Sequence, residues 1–234
     1  MELSIRLEAI AGCIKPGLTI ADIGTDHGYL PIELIRRGIS PKALACDVRT
    51  GPLERARQHI GEAGLSNWVE MRLSNGFEKI AAGEANGCVI AGMGGMLVKE
   101  ILDAESQRDT NVLSGMQQLI LQPQSDWEAV RRTVHNLKFK IVDEIMLIDR
   151  DKYYWILVCE PGTQVYEFEW QYKFGCLLPE KKDPVLHGYL LHKYNKNATL
   201  LDSLKQGEGD TVRQRQMELQ AEQRELEEVL VLWD

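Results

Sequence analysis

The chain carries 234 residues, 44% of them hydrophobic and 26% charged, with a net charge of −8; this balance describes a globular protein with a sizeable core and excludes disordered and collagen-like chains. No apolar run approaches the ~20 residues that a membrane-spanning helix needs, and the opening MELSIRLEAIAGCIKPG has early acidic residues and no basic stretch leading into an unbroken apolar one. Neither a membrane anchor nor a signal peptide is expected, and a cytoplasmic protein is.

Ser4 to Ile14 places Ile5, Leu7, Ile10, Ala11 and Ile14 near helical spacing behind a Ser4 cap, and Pro16-Gly17 ends it. LTIADIG (18–24) then reads as a strand halted by glycine, and HGYLPIELIRRG (27–38) as a helix closed by Gly38. The unit repeats. KALACDV (42–48) leads into PLERARQHIGEAG, WVEMRL (68–73) into a short segment, GCVIAG (87–92) into MLVKEILDAES, and QQLILQP (117–123) into DWEAVRRTVHNL. Successive strand-helix units specify a parallel sheet flanked by helices. FKIVDEIMLID (139–149) and KYYWILVCE (152–160) are then two strand-like runs joined by Arg150 and Asp151, a hairpin. A parallel sheet ended by an antiparallel hairpin is the layout of class I methyltransferases rather than of nicotinamide enzymes.

Past Pro161-Gly162 no strand is expected. Val185, Tyr189, Tyr194, Leu201 and Leu204 suggest one helix, and Val212, Leu219, Leu226 and Trp233, recurring at sevens, a second. With a turn at Gly207 to Gly209 they form an antiparallel coiled-coil hairpin. The expected organisation is therefore an α/β, Rossmann-like domain over residues 1–162, with a seven-stranded sheet, and a helical coiled-coil domain over 163–234.

The chemistry concentrates at strand ends. After the first strand comes Asp22-Ile23-Gly24-Thr25-Asp26-His27-Gly28, where Gly24 lets the backbone leave the strand tightly and the following helix start attracts anionic ligand groups. A dinucleotide site wants glycine where Asp26 stands. Two aspartates repel a pyrophosphate and suit the sulfonium and ammonium of S-adenosylmethionine (SAM), although Asp26 can also be read as a plain helix cap. Asp47 can accept ribose hydroxyls or simply close a strand. Asn75-Gly76-Phe77 can place an amide on the adenine amino group and a ring beside the base, or be an ordinary turn. Gly92-Met93-Gly94-Gly95 opens the pocket floor to a bulky base, and Gln122-Pro123-Gln124 offers amides to a base edge.

Other polar residues read as structural. Arg36 and Arg37 offset a helix dipole, and Cys88 belongs to the core. His187 and His192 point to different helix faces, and the five cysteines form no C-x-x-C pair, so no metal is expected. Basic residues number 18 against 22 acidic before residue 161, and 9 against 13 after it. A polyanion must then be held by local groups. Arg6, Arg49, Arg131 and Arg132 are the candidates.

ADIGTDHGYLP (21–31), IAGMGG (90–95) and LILQPQ (119–124), in this order, resemble the bacterial tRNA adenine-N1 methyltransferases of the TrmK type. The resemblance covers most of residues 1–160 and implies SAM as cofactor, tRNA as partner, and methylation of N1 of adenine 22; no obligate protein partner is evident in the sequence. It implies cofactor-binding roles for Arg6, Asp22, Gly24, Asp26, His27, Asp47, Asn75, Gly92 and Met93, with Asn75 standing where an aspartate is expected. Adenine N1 already carries an in-plane lone pair, so catalysis needs chiefly alignment and stabilisation of the cation formed. Asp26 is the candidate for that stabilisation, with the Gly92 carbonyl and Gln122 as catalytic positioning groups. Methylation of a small molecule or protein, and a SAM-responsive binding role through the coiled coil, are the alternatives.

Overall fold

The computed structural model describes residues 2–205 and 209–233. The chain forms two compact units, Met1–Tyr166 and Glu167–Asp234.

In the first unit five strands run parallel: β1 (Ile20–Ile23), β2 (Ala43–Asp47), β3 (Val69–Leu73), β4 (Gly87–Met93) and β5 (Gln118–Pro123). β1 and β2 are buried throughout, as expected of parallel strands covered on both faces. β6 (Phe139–Asp149) and β7 (Lys152–Pro161) form the antiparallel hairpin. Arg150 and Asp151 both adopt left-handed backbone, the turn that matches strand twist. The order is β3-β2-β1-β4-β5-β7-β6. The last strand of the hairpin thus inserts beside β5, pairing Ile120 with Val158, and leaves β6 at the edge.

Residues paired in register point to the same face, so Ile20, Val89 and Ile120 share one side of the sheet. α1 (Ile5–Cys13) and α2 (Tyr29–Arg36) bury Ile10, Ile14, Leu30 and Leu34 against them. α3 (Thr50–Glu62) packs Ala56 and Ile60 on Ala43, Ala45 and Val69. α4 (Gly95–Ser106) and α5 (Trp127–Asn136) pack together against β4, β5 and β6. The Ser4 hydroxyl caps α1 by accepting from the Leu7 N–H at 3.3 Å. Arg37 pairs with Glu8 and Glu33, and Cys88 is buried in the core.

The first unit runs past Gly162 because Gln164 is bound into the sheet. Its Oε1 accepts from the Ile141 N–H at 2.7 Å and lies 3.1 Å from His135 Nε2, while Tyr166 packs edge-on against the His135 ring.

The second unit contains α6 (Glu169–Phe174), α7 (Leu177–Glu180), α8 (Pro184–Leu204) and α9 (Asp210–Leu230). Asp183 caps α8, accepting from Val185 and Leu186 N–H groups, and Pro184 occupies the first turn, where its missing N–H is harmless. α8 and α9 are antiparallel: Gln216 bonds the Leu204 carbonyl, Asn197 bonds Glu222, and Tyr194 bonds Glu227. The buried stripe of α8 is Leu186, Leu190 and Asn197, one residue on from the expected Val185 and Tyr189. On α9 Leu219 and Leu226 are buried as the heptad expects, joined by Val229, while Val212 and Trp233 are half-buried. Trp233 stacks on His187, centroids 5.2 Å apart. Of the expected turn at 207–209, residues 207 and 208 lie outside the described residues.

Candidate active site

Strand order reverses between β1 and β4, and the crevice beyond the carboxyl ends of such strands is where open α/β sheets bind ligands. A cavity of about 530 Å³ opens there. All nine cofactor candidates line it: Arg6, Asp22, Gly24, Asp26, His27, Asp47, Asn75, Gly92 and Met93.

Asp22, next to last in β1, has its carboxyl buried. Burial pushes that carboxyl up to about 6; Thr25 and the Arg6 guanidinium draw it down, and Asp47 pushes it further up. Asp47 is also buried, its Oδ1 accepting from the Arg49 N–H at 2.8 Å. Gly24 has a φ of +80°, and a Cβ there would sit 2.1 Å from the Met93 terminal methyl, so glycine is what lets Met93 lie over the loop. Gly92, φ +79°, sits at the register shift between β4 and β5, a bulge that turns the strand end toward the cavity.

Asp26 is not a helix cap. α2 begins at Tyr29 behind a left-handed Gly28, with no side chain capping it. The Asp26 carboxylate instead accepts from Arg55 Nη2 at 2.7 Å and lies 3.2 Å from His27 Nε2. One turn further along α3, His59 donates from Nδ1 to the His27 carbonyl at 2.9 Å. The His27, Tyr29 and His59 rings cluster with centroids 4.9 to 5.7 Å apart.

Three expectations are corrected. Gln122 does not face a substrate: it is fully buried, its Oε1 accepts from Arg6 Nη1 at 2.7 Å and from the Gly92 N–H at 3.1 Å, and its Nε2 donates to the Pro123 carbonyl. Gln124 is the amide on the cavity rim. Phe77 is 2% exposed and offers no ring to a base, because the chain after Gly76 turns it into the core; Asn75 stays at the cavity, donating to Glu78 at 3.2 Å. Arg131 is fully buried, ion-paired with Glu144 at 2.8 Å and set over the Trp155 ring, so it meets no polyanion. Arg132 pairs with Glu128 at 2.9 Å, and Arg49, its side chain 73% exposed, lies 3.6 Å from Asp47 Oδ1.

Arg55 and His59 carried no motif. Their spacing, i and i+4 on a helix facing the first loop, was the one available signal. Among the described residues no group of three or more His, Cys, Asp or Glu could hold a metal, and no helix is long and apolar enough to cross a membrane.

The strand order with its single inserted antiparallel strand, and a cavity over β1 and β4 lined by Asp22, Asp26 and Asp47, are those of a class I SAM-dependent methyltransferase; the methyltransferase-domain family matches residues 3–157. The tRNA (adenine(22)-N(1))-methyltransferase of Bacillus subtilis is 35% identical over 164 residues, covering 70% of this chain and 67% of that protein. The crystal structure of B. subtilis TrmK superposes with a TM-score of 0.88 at 28% identity, over 98% of this chain and 99% of that one. Streptococcus pneumoniae Sp1610 in complex with S-adenosyl-L-methionine gives 0.86 at 30% identity, over 98% and 100%. The chain belongs to the tRNA (adenine(22)-N(1))-methyltransferase family, TrmK.

Proposed function

We propose that this protein methylates N1 of adenine 22 in tRNA, with SAM supplying the methyl group as a sulfonium-borne electrophile. The observation that carries the reading is the cavity itself: a buried Asp22 carboxyl that no cation bonds directly among the described residues, Asp26 at the lip, and glycines at 24 and 92 where the backbone turns with positive φ. Such a site fits a cationic nucleoside and opposes a pyrophosphate. Asp22 would face the cationic end of the cofactor, Asp47 the ribose hydroxyls, and Asn75 the adenine edge. Gly24 and Met93 shape the wall between them.

The chain's own contribution to chemistry is placement and charge. Adenine N1 attacks with its existing lone pair, so no general base is assigned to that step; the positive charge that develops on the base is met by Asp26. Gln122 acts through others, holding Arg6 and the Gly92 amide in place. Substrate tRNA is held by local basic groups, Arg6 and Arg49 among them, and the cytoplasm is the compartment where that substrate is met. Incubation with labelled SAM and tRNA transcripts carrying adenine or guanine at position 22 tests the proposal. Label recovered as 1-methyladenosine from the adenine transcript alone is expected; transfer to neither would refute it.

A further inference from the structure

Arg55 projects from the second turn of α3 onto the cavity lip, where its Nη2 donates to Asp26 Oδ1 at 2.7 Å. Both side chains are about half exposed, 49% for Arg55 and 59% for Asp26. An ion pair so open to water is weak and exchanges readily. In this state, however, the pair cancels the charge that Asp26 is proposed to present to a cationic base.

The loop does not need Arg55 to keep its shape. The Gly24 and Thr25 N–H groups donate to the Cys46 carbonyl at 2.7 and 2.9 Å, and His59 pins the His27 carbonyl from α3. The loop backbone is therefore held without Arg55, and His27 Nε2, 3.2 Å from the Asp26 carboxylate, stays beside it when the guanidinium departs. A guanidinium also matches a phosphate at least as well as a carboxylate, through paired N–H donors. On a protein of net charge −8 any phosphate contact must come from a local group of this kind.

We infer that Arg55 is a phosphate contact for the nucleic acid substrate, held on Asp26 in the free protein and transferred to a backbone phosphate on docking, which frees the Asp26 carboxylate for the cavity. The inference rests on the tRNA reading above. It makes substrate binding and exposure of the charge at the lip one event.

The experiment is equilibrium binding of an adenine-22 tRNA transcript to SAM-free protein between 50 and 200 mM salt, for wild type, Arg55→Ala, Arg55→Gln, Asp26→Asn and the double variant Asp26→Asn/Arg55→Ala. Losing Arg55 should weaken binding about fivefold and lower the salt slope by about one. Asp26→Asn should tighten binding about threefold when Arg55 is present, by removing its competing partner, and by clearly less when it is absent. Unchanged affinity and slope in both Arg55 variants would overturn the inference, as would an Asp26→Asn effect equal in the two backgrounds. SAM binding by the Arg55 variants verifies their fold. Methylation of the same transcript by wild type separates the outcomes: its absence sinks the tRNA reading, whereas an active wild type with indifferent Arg55 variants sinks this inference alone.

Discussion

Arg6 and Gln122 are separated by 116 positions in the chain and by 2.7 Å in space. The same Gln122 oxygen also receives the Gly92 N–H, so one buried amide ties the amino-terminal helix to the end of β4 at the cavity wall. Substituting Gln122 by Ala or Leu leaves both donors without an acceptor. The cost of an orphaned buried donor is about 1–3 kcal/mol, and SAM affinity should fall about tenfold, measured by calorimetry. A Gln122→Leu protein that binds SAM as wild type does would show that the tie has no bearing on the cofactor.

The Asp22 carboxyl gives a pH dependence of defined sign. Its folded value is raised from 3.8 to about 6, so the unfolded chain releases its proton first. The contribution to stability is fully present below 3.8 and is lost as pH rises through about 6, a swing of about 3 kcal/mol in the free protein. A cationic ligand reverses the balance by favouring the ionised carboxylate. SAM should therefore bind about tenfold more tightly at pH 7 than at pH 5, with proton release near pH 6. Calorimetry in buffers of different ionisation enthalpy measures that release. A flat affinity profile, or one that persists in Asp22→Asn, would assign the effect elsewhere.

Arg131 and Glu144 are both wholly buried, with Trp155 beneath the guanidinium. Removing one partner strands the other charge, at a cost of about 3–5 kcal/mol. Glu144→Ala should lower the melting temperature by about 10 °C while leaving the salt slope of tRNA binding unchanged. A change of slope without loss of stability would return Arg131 to the surface.

A chain ending after Tyr166 should retain SAM affinity and lose most tRNA methylation. The cut belongs there rather than at Gly162, because Gln164 is bonded to Ile141 and Tyr166 packs on His135. Full methylation by that protein would remove the helical unit from substrate capture, and a changed sedimentation mass would reassign it to self-association.

The β/α alternation, the closing hairpin and the loops at four strand ends were legible because each is written in contiguous residues: apolar runs, glycine stops, an aspartate at a strand end. What escaped depends on partners far away in sequence. Gln122 reads as a rim amide until Arg6 and Gly92 meet it inside the sheet. Arg131 reads as a surface cation on an amphipathic helix until Glu144 and Trp155 enclose it. Asp26, read at the cofactor with a helix cap as the alternative, gives no sign in sequence of the Arg55 that pairs with it. On α8 the buried stripe includes Asn197, a polar side chain satisfied by Glu222, which an apolar count passes over.

The insertion of β7 between β5 and β6 has a consequence for how the protein is made. Among the strands of the first unit, β7 is the last to leave the ribosome, yet it fills an interior place, pairing with β5 on one side and β6 on the other. Until residue 161 emerges, β5 presents an open edge and β6 has no neighbour, so the nascent domain cannot close early. Such non-local completion is slow and exposes strand edges to other chains. The residues after 161 are still to be made when β7 becomes free to pair on both sides, so the sheet closes while the chain is being extended through the helical segment.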